Sequence, residues 1–149
     1  MVGIFMILVD STVIIDIGRM KEGVKVAIEK NSAEAFGISA ITIEEIYAGL
    51  GHTLEQKGVE YFEKLKDGYE KILTQYEIFE ITERLLRKAG VFRGSMQAKG
   101  WMIDQADAII AATAELYKVT KILTRNPTHF QDSPVPVEAY SLDGENVPR

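Results

Sequence analysis

The chain has no cysteine, which excludes disulfides, zinc–thiolate centres and thiol nucleophiles together. It has only two histidines, His52 and His129, which argues against a histidine-rich metal site. No Gly-, Pro- or Ser-rich stretch interrupts it, so there is no sign of a linker, a repeat or a low-complexity segment. Positive charge is in deficit: 17 Lys and Arg against 22 Asp and Glu leave a net charge of −5. That balance speaks against a broadly basic nucleic-acid coat and leaves a local patch open. The apolar run at residues 4–9 is far short of the ~20 residues of a membrane span. It also lacks the basic leader and small-residue cleavage site of a signal peptide. A soluble, cytoplasmic protein with no membrane partner is expected. Chemistry must then run on carboxylates, hydroxyls, amines or a bound metal.

What is present begins at that same run. Ile4, Phe5, Met6, Ile7, Leu8 and Val9 lead straight into Asp10, Ser11 and Thr12. An unbroken apolar run reads as a strand buried on both faces, as in a parallel sheet covered by helices. Ligands of such sheets bind beyond the carboxyl ends of the strands, which is where Asp10 falls. Ser11 or Thr12 is expected to cap a helix at 13–19, and an amphipathic helix follows at 21–30. Residues 36–39 read as a strand, and Thr42 as the cap of a helix through Tyr47. A charged-and-apolar helix at 55–73, a strand at 78–81 and a helix from Thr82 to about Gly94 come next. The stretch 104–117 reads as a helix apolar nearly all round, hence a central one. Strands at 121–124 and, on an edge, 136–140 complete the pattern. This alternation predicts an α/β three-layer sandwich, a mostly parallel central sheet flanked by helices. The 149 residues, 46% of them hydrophobic, suffice for one domain over 1–142 with a flexible tail at 143–149.

Three acidic spots stand beside the apolar elements. Asp10 reads equally well as a helix cap or as a ligand. Of Glu44 and Glu45, neighbours about 100° apart on a helix, only one can face a cleft. Glu45 is that one, or else the carboxylate of a capping box with Thr42. Asp104 and Asp107, three apart, share one face of a helix start, where the helix dipole alone favours acids. Yet Asp107 abuts the most apolar helix in the chain. Acids gathered at one sheet edge repel each other unless a positive charge sits among them. Oxygen-only ligation suits Mg²⁺ or Mn²⁺, and such an ion activates water against a phosphoryl group, the chemistry of nucleases.

Four segments carry a resemblance to a known family. They are Leu8-Val9-Asp10-Ser11-Thr12-Val13-Ile14-Ile15-Asp16, and Ile38-Ser39-Ala40-Ile41-Thr42-Ile43-Glu44-Glu45-Ile46-Tyr47-Ala48-Gly49. The others are Asp107-Ala108-Ile109-Ile110-Ala111-Ala112-Thr113-Ala114, and Ile122-Leu123-Thr124-Arg125-Asn126 with Phe130 shortly after. In this order and spacing they resemble PIN-domain ribonucleases, most closely the VapC-type toxins of toxin–antitoxin pairs, over essentially the whole chain. The resemblance implies metal-dependent hydrolysis of RNA phosphodiesters, with Asp10, Glu45 and Asp107 as the catalytic, metal-holding acids. Ser11 or Thr12, and Thr124, match positions that shape the pocket. Asn126 stands where many relatives carry a fourth acid, and so implies a weaker ligand. His129 stands where others have an acid before the phenylalanine. Asp104 lies one turn before Asp107 and is a secondary ligand.

RNA would be drawn by local cations. Arg84, Arg87, Lys88, Arg93 and Lys99 lie at helical spacing before the third acid, with Arg19, Lys21 and Arg125 elsewhere; each taken singly reads more readily as part of a solvated face. A lone Trp101 near a helix start is more often packing than a base-stacking platform, and is not assigned to the site. The resemblance further implies a homodimer and a cognate antitoxin that enters the acidic groove. The apolar helix faces after Val13 and after Lys57 are candidate contact surfaces. An alternative is a catalytically weak PIN-like module that binds RNA or protein, which Asn126 favours. Phosphoryl transfer through an aspartate is disfavoured, because Asp10-Ser11-Thr12 lacks a second Asp at the required spacing.

Overall fold

The apolar run forms β1 (Met6–Val9), every residue of it buried. The computed structural model describes residues 5–144; Ile4 of that run and residues 145–149 of the expected tail lie outside the described residues. The elements follow as α1 (Ser11–Gly18), α2 (Glu22–Lys30), β2 (Ala35–Ser39), α3 (Ala40–Lys57), α4 (Val59–Leu73) and β3 (Glu77–Phe79). Then come α5 (Glu83–Ala98), α6 (Gln105–Leu116), β4 (Lys121–Thr124), a 3₁₀ turn at Pro127–Phe130 and β5 (Val137–Ala139). The sheet runs β3-β2-β1-β4-β5, and all four pairings are parallel.

Alternate side chains of a strand point to opposite faces, and β1 shows why it had to be apolar throughout. Ile7 and Val9 pack with Val13 and Ile14 of α1, Val24 of α2, Ile46 and Leu50 of α3 and Leu73 of α4. Leu8 packs the other way, with Ile110 and Ala114 of α6. On its outer side α6 meets Leu85 and Ala89 of α5 through Ile109 and Ala112. Covered by the sheet on one side and α5 on the other, α6 buries every residue from Ala108 to Ala114. The result is the expected three-layer α/β sandwich, its sheet wholly rather than mostly parallel.

Local boundaries differ from the sequence reading in several places; the strand expected at 78–81, for one, is β3 at Glu77–Phe79. Asp10, not Ser11 or Thr12, is the N-cap of α1. Ser39 caps α3, accepting from Ile41 N–H at 3.3 Å, because β2 runs into the helix with no loop between. Thr42 is therefore inside the first turn of α3. The helix expected at 55–73 is divided at Gly58, whose φ of +87° suits glycine and breaks the backbone between α3 and α4. Finally α5 continues past Gly94 to Ala98. Close approach explains another glycine: a Cβ on Gly37 would lie 2.7 Å from the Phe79 ring and 2.8 Å from Met6 Sδ.

Candidate active site

From β1 the chain winds outward through β2 and β3, then returns to place β4 on β1's other side. The crevice beyond the carboxyl ends of β1 and β4 is thus the topological switch point, where parallel sheets bind ligands. Val9 pairs with Leu123 across those strands, which sets the following residues, Asp10 and Thr124, side by side.

Asp10 is 4% exposed. One carboxylate oxygen accepts from the Thr12 backbone N–H at 3.2 Å and from the Thr12 hydroxyl at 2.5 Å. Its other oxygen accepts from the Thr124 hydroxyl at 2.5 Å. Burial pushes its pKa up, against the pull of these hydrogen bonds. Asp10 is thus the cap of α1, and from there its charge still reaches Glu45 and Asp107.

Glu45 reaches the crevice from α3. With Ser39 as the cap, Glu45 lies in the second turn, too far along to close a capping box. It is half-buried, whereas Glu44 is exposed. Burial pushes its pKa up to about 7, with the charges of Asp107, Asp10 and Glu44 adding to it and a hydrogen bond from Ser11 opposing. Asp107 comes from the first turn of α6. Burial takes its pKa up to about 6; the nearby His129 opposes this, and Asp10 and Asp104 add to it. His129 Nδ1 stands 3.4 Å from Asp107 Oδ2.

Carboxyls from three separate elements thus lie at one sheet edge, with the charge of Asp10 felt by both Glu45 and Asp107, and that of Asp107 by Glu45. Among the described residues no three His, Cys, Asp or Glu side chains are gathered tightly enough to hold a metal ion as they stand. The donor chemistry nonetheless fits a hard cation. All the donors are oxygens, and both burial and mutual repulsion penalise the charged forms that a cation would relieve.

The remaining predicted positions divide. Asp104 is the exposed N-cap position of α6 and makes no side-chain cap bond. Asn126 follows β4, and its backbone N–H donates to the Thr124 hydroxyl at 3.0 Å. Of the cations, Arg93 reaches the segment just before α6, its Nε donating to Ile103 O at 3.3 Å. Lys99 pairs with Asp132 at 3.6 Å. Arg87 pairs with Glu83 of its own helix, and Lys88 with Glu115. Glu115 is eight residues beyond Asp107, about 12 Å along the helix, so this part of α5 stands away from the acids. Arg84 is exposed one turn further off. Arg125 turns inward instead, to Asp16. Trp101 and Met102 border a cavity of about 140 Å³ whose wall also includes Asp107, Thr128 and His129.

Sequence reasoning passed over Asp16 and Tyr140. Asp16 is wholly buried in α1, and its Oδ2 accepts from Arg125 Nε at 2.7 Å and Tyr140 OH at 2.8 Å. The signal was an acid three residues after Val13, hence on the helix's apolar face.

Fold and site together define a parallel α/β protein with an acidic crevice at its switch point. The PIN-domain model matches residues 7–132, and the chain belongs to that family. It is similar to Ribonuclease VapC1 of Methanocaldococcus jannaschii, 29% identical over 125 residues that cover 84% of this chain and 79% of the relative. Its fold matches FitAcB of Neisseria gonorrhoeae with a TM-score of 0.72 at 27% identity, over 88% of this chain and 95% of the other. VapBC2 of Rickettsia felis, solved bound to a DNA fragment from its promoter, matches with a TM-score of 0.77 at 17% identity, over 91% and 98% of the two chains. Among the described residues no helix is long and apolar enough to cross a membrane.

Proposed function

We propose that this protein is a metal-dependent endoribonuclease, the toxin of a VapBC-type toxin–antitoxin pair, with Asp10, Glu45 and Asp107 as its Mg²⁺- or Mn²⁺-holding residues. One observation carries the reading: carboxyls from three elements lie at the switch point, where burial raises all three pKa values and the charges of Asp10 and Asp107 add to the rise at Glu45. The likeness to a named ribonuclease supplies RNA as the substrate. Asp10, Glu45 and Asp107 would hold a divalent cation, which when bound would supply acidified water and positive charge for the phosphoryl oxygens, so that no protein nucleophile is required. The chain's own residues orient the donors. Thr12 and Thr124 hold the two oxygens of Asp10, and Ser11 hydrogen-bonds Glu45. Arg93, at the near end of α5, keeps its remaining guanidinium nitrogens for a phosphate.

The antitoxin reading has a surface to match. Ile17, Tyr61, Leu65, Tyr69 and Ile72 line an apolar groove of about 500 Å³ between α1 and α4, the helix faces after Val13 and after Lys57. An amphipathic antitoxin helix would cover it.

The test is incubation of the protein with a mixed RNA pool in Mg²⁺ or Mn²⁺, with and without chelator. Discrete fragments that disappear with chelator are expected. Cleavage undiminished by chelator would overturn the cation's role. RNA binding without any cleavage would favour the second reading, a binding module, for which the uncharged Asn126 speaks.

A further inference from the structure

We propose that Asp16 and Arg125 are positioning residues, a buried carboxylate paired with a partly exposed arginine, which hold the turn after β4 against α1 and thereby fix both hydroxyls gripping Asp10. This rests on the reading of Asp10 as a cation ligand.

A hydroxyl has a single proton, so whatever donates to its oxygen helps decide where that proton points. The Arg125 backbone N–H donates to the Thr12 hydroxyl at 3.1 Å, and that hydroxyl donates to one oxygen of Asp10. The next residue repeats the device: the Asn126 N–H donates to the Thr124 hydroxyl, which donates to the other oxygen. Two consecutive backbone N–H groups therefore set both oxygens of the buried carboxylate. Where that turn sits decides how Asp10 is presented.

The turn is anchored by the Arg125 side chain. An arginine on a nuclease surface would ordinarily face solvent and phosphate, yet this one pairs with a carboxylate that is 0% exposed. Tyr140, just after β5, donates to the same Asp16 oxygen, so one carboxylate ties α1 to the segments after β4 and β5. Asp16 Oδ1 has no partner among the described residues. Burying a carboxylate with one oxygen unsatisfied is costly until pairing offsets it, and an apolar pair in place of the two charges would often serve the fold as well. Retaining the charge makes sense where placement of the turn matters.

The test compares wild type with Asp16→Asn, Arg125→Ala and Arg125→Lys for thermal melting, Mn²⁺ affinity by calorimetry, and kcat and KM on RNA. Outer hydrogen bonds of metal ligands are typically worth 10–100-fold in affinity or activity. A loss of about tenfold in both Mn²⁺ affinity and kcat is expected for Asp16→Asn and Arg125→Ala, with KM unchanged and partial recovery in Arg125→Lys. Because Arg125→Ala strands the Asp16 charge, Asp16→Leu/Arg125→Leu is the second variant, which removes both charges and the anchor between them. The same loss of about tenfold in Mn²⁺ affinity is expected of it. A raised KM with kcat and Mn²⁺ affinity intact would make Arg125 an RNA contact and overturn the proposal. Wild-type Mn²⁺ affinity in a folded double variant would overturn it too, while leaving the ribonuclease reading standing. Wild-type protein that neither binds Mn²⁺ nor cleaves RNA would remove both.

Discussion

Cation binding at the acidic crevice must displace protons, and the structure sets how many. Glu45 and Asp107 have pKa values pushed up to about 7 and about 6. At pH 5.5 both are mostly protonated, so a cation that needs both carboxylates releases close to two protons on binding, and almost none at pH 8. Competition from Glu45's proton weakens binding ~30-fold at pH 5.5, and from Asp107's ~4-fold. Together they make Mn²⁺ affinity about 100-fold lower at pH 5.5 than at pH 8, or about 3 kcal/mol. The assay is calorimetric titration of Mn²⁺ in pairs of buffers with different ionisation enthalpies, which reads affinity and proton release together. Equal affinity at the two pH values, with no proton release at pH 5.5, would refute the reasoning, because the cation would then bind without those two carboxyls.

Two further outcomes follow from the same geometry. Glu45 holds its proton more tightly folded than unfolded, so its stabilising contribution is complete below about pH 4.5 and is lost as pH rises through about 7. Without cation, Glu45→Gln should melt with wild type at pH 4.5. At pH 8 it should be more stable by about 1–2 kcal/mol, the full shift being discounted for partial exposure. Thr124→Val removes the hydroxyl that donates to Asp10 and accepts from Asn126 N–H, leaving a buried carboxylate oxygen and a part-buried N–H without that partner. A loss of about 2 kcal/mol by chemical denaturation is expected, with a fall in Mn²⁺ affinity measured on the folded protein.

The most legible parts of the sequence were those where burial leaves no choice. A strand between two neighbours and two helical layers must be apolar at every residue, as β1 is. A helix pressed between a sheet and another helix must be small and apolar all round, as α6 is. Asp10 was legible for the same reason, being the first charge after a strand that tolerates none. The boundaries were harder. Ser39 and Thr42 both offer a hydroxyl near the start of α3, and only the path of β2 decides that Ser39 is the cap. At Gly58 the amphipathic period continues across the break, so nothing but the glycine marks it. The positive residues were the least readable, because a cation's role depends on its partner. Asp16 lies 109 residues from Arg125 and joins it only through the packing of α1 against the end of β4. That contact turns a presumed RNA-facing arginine inward.

The central claim is that Asp10, Glu45 and Asp107 act together as the cation-holding site of a ribonuclease. Cleavage of one defined RNA by wild type and by Asp10→Asn, in saturating Mn²⁺ and with melting curves of both proteins, tests it most directly. Asp10→Asn keeps the size of the side chain and one carbonyl acceptor for Thr12 or Thr124, so a cooperative melt with cleavage reduced below detection is expected. A folded Asp10→Asn that cleaves at the wild-type rate would contradict the account.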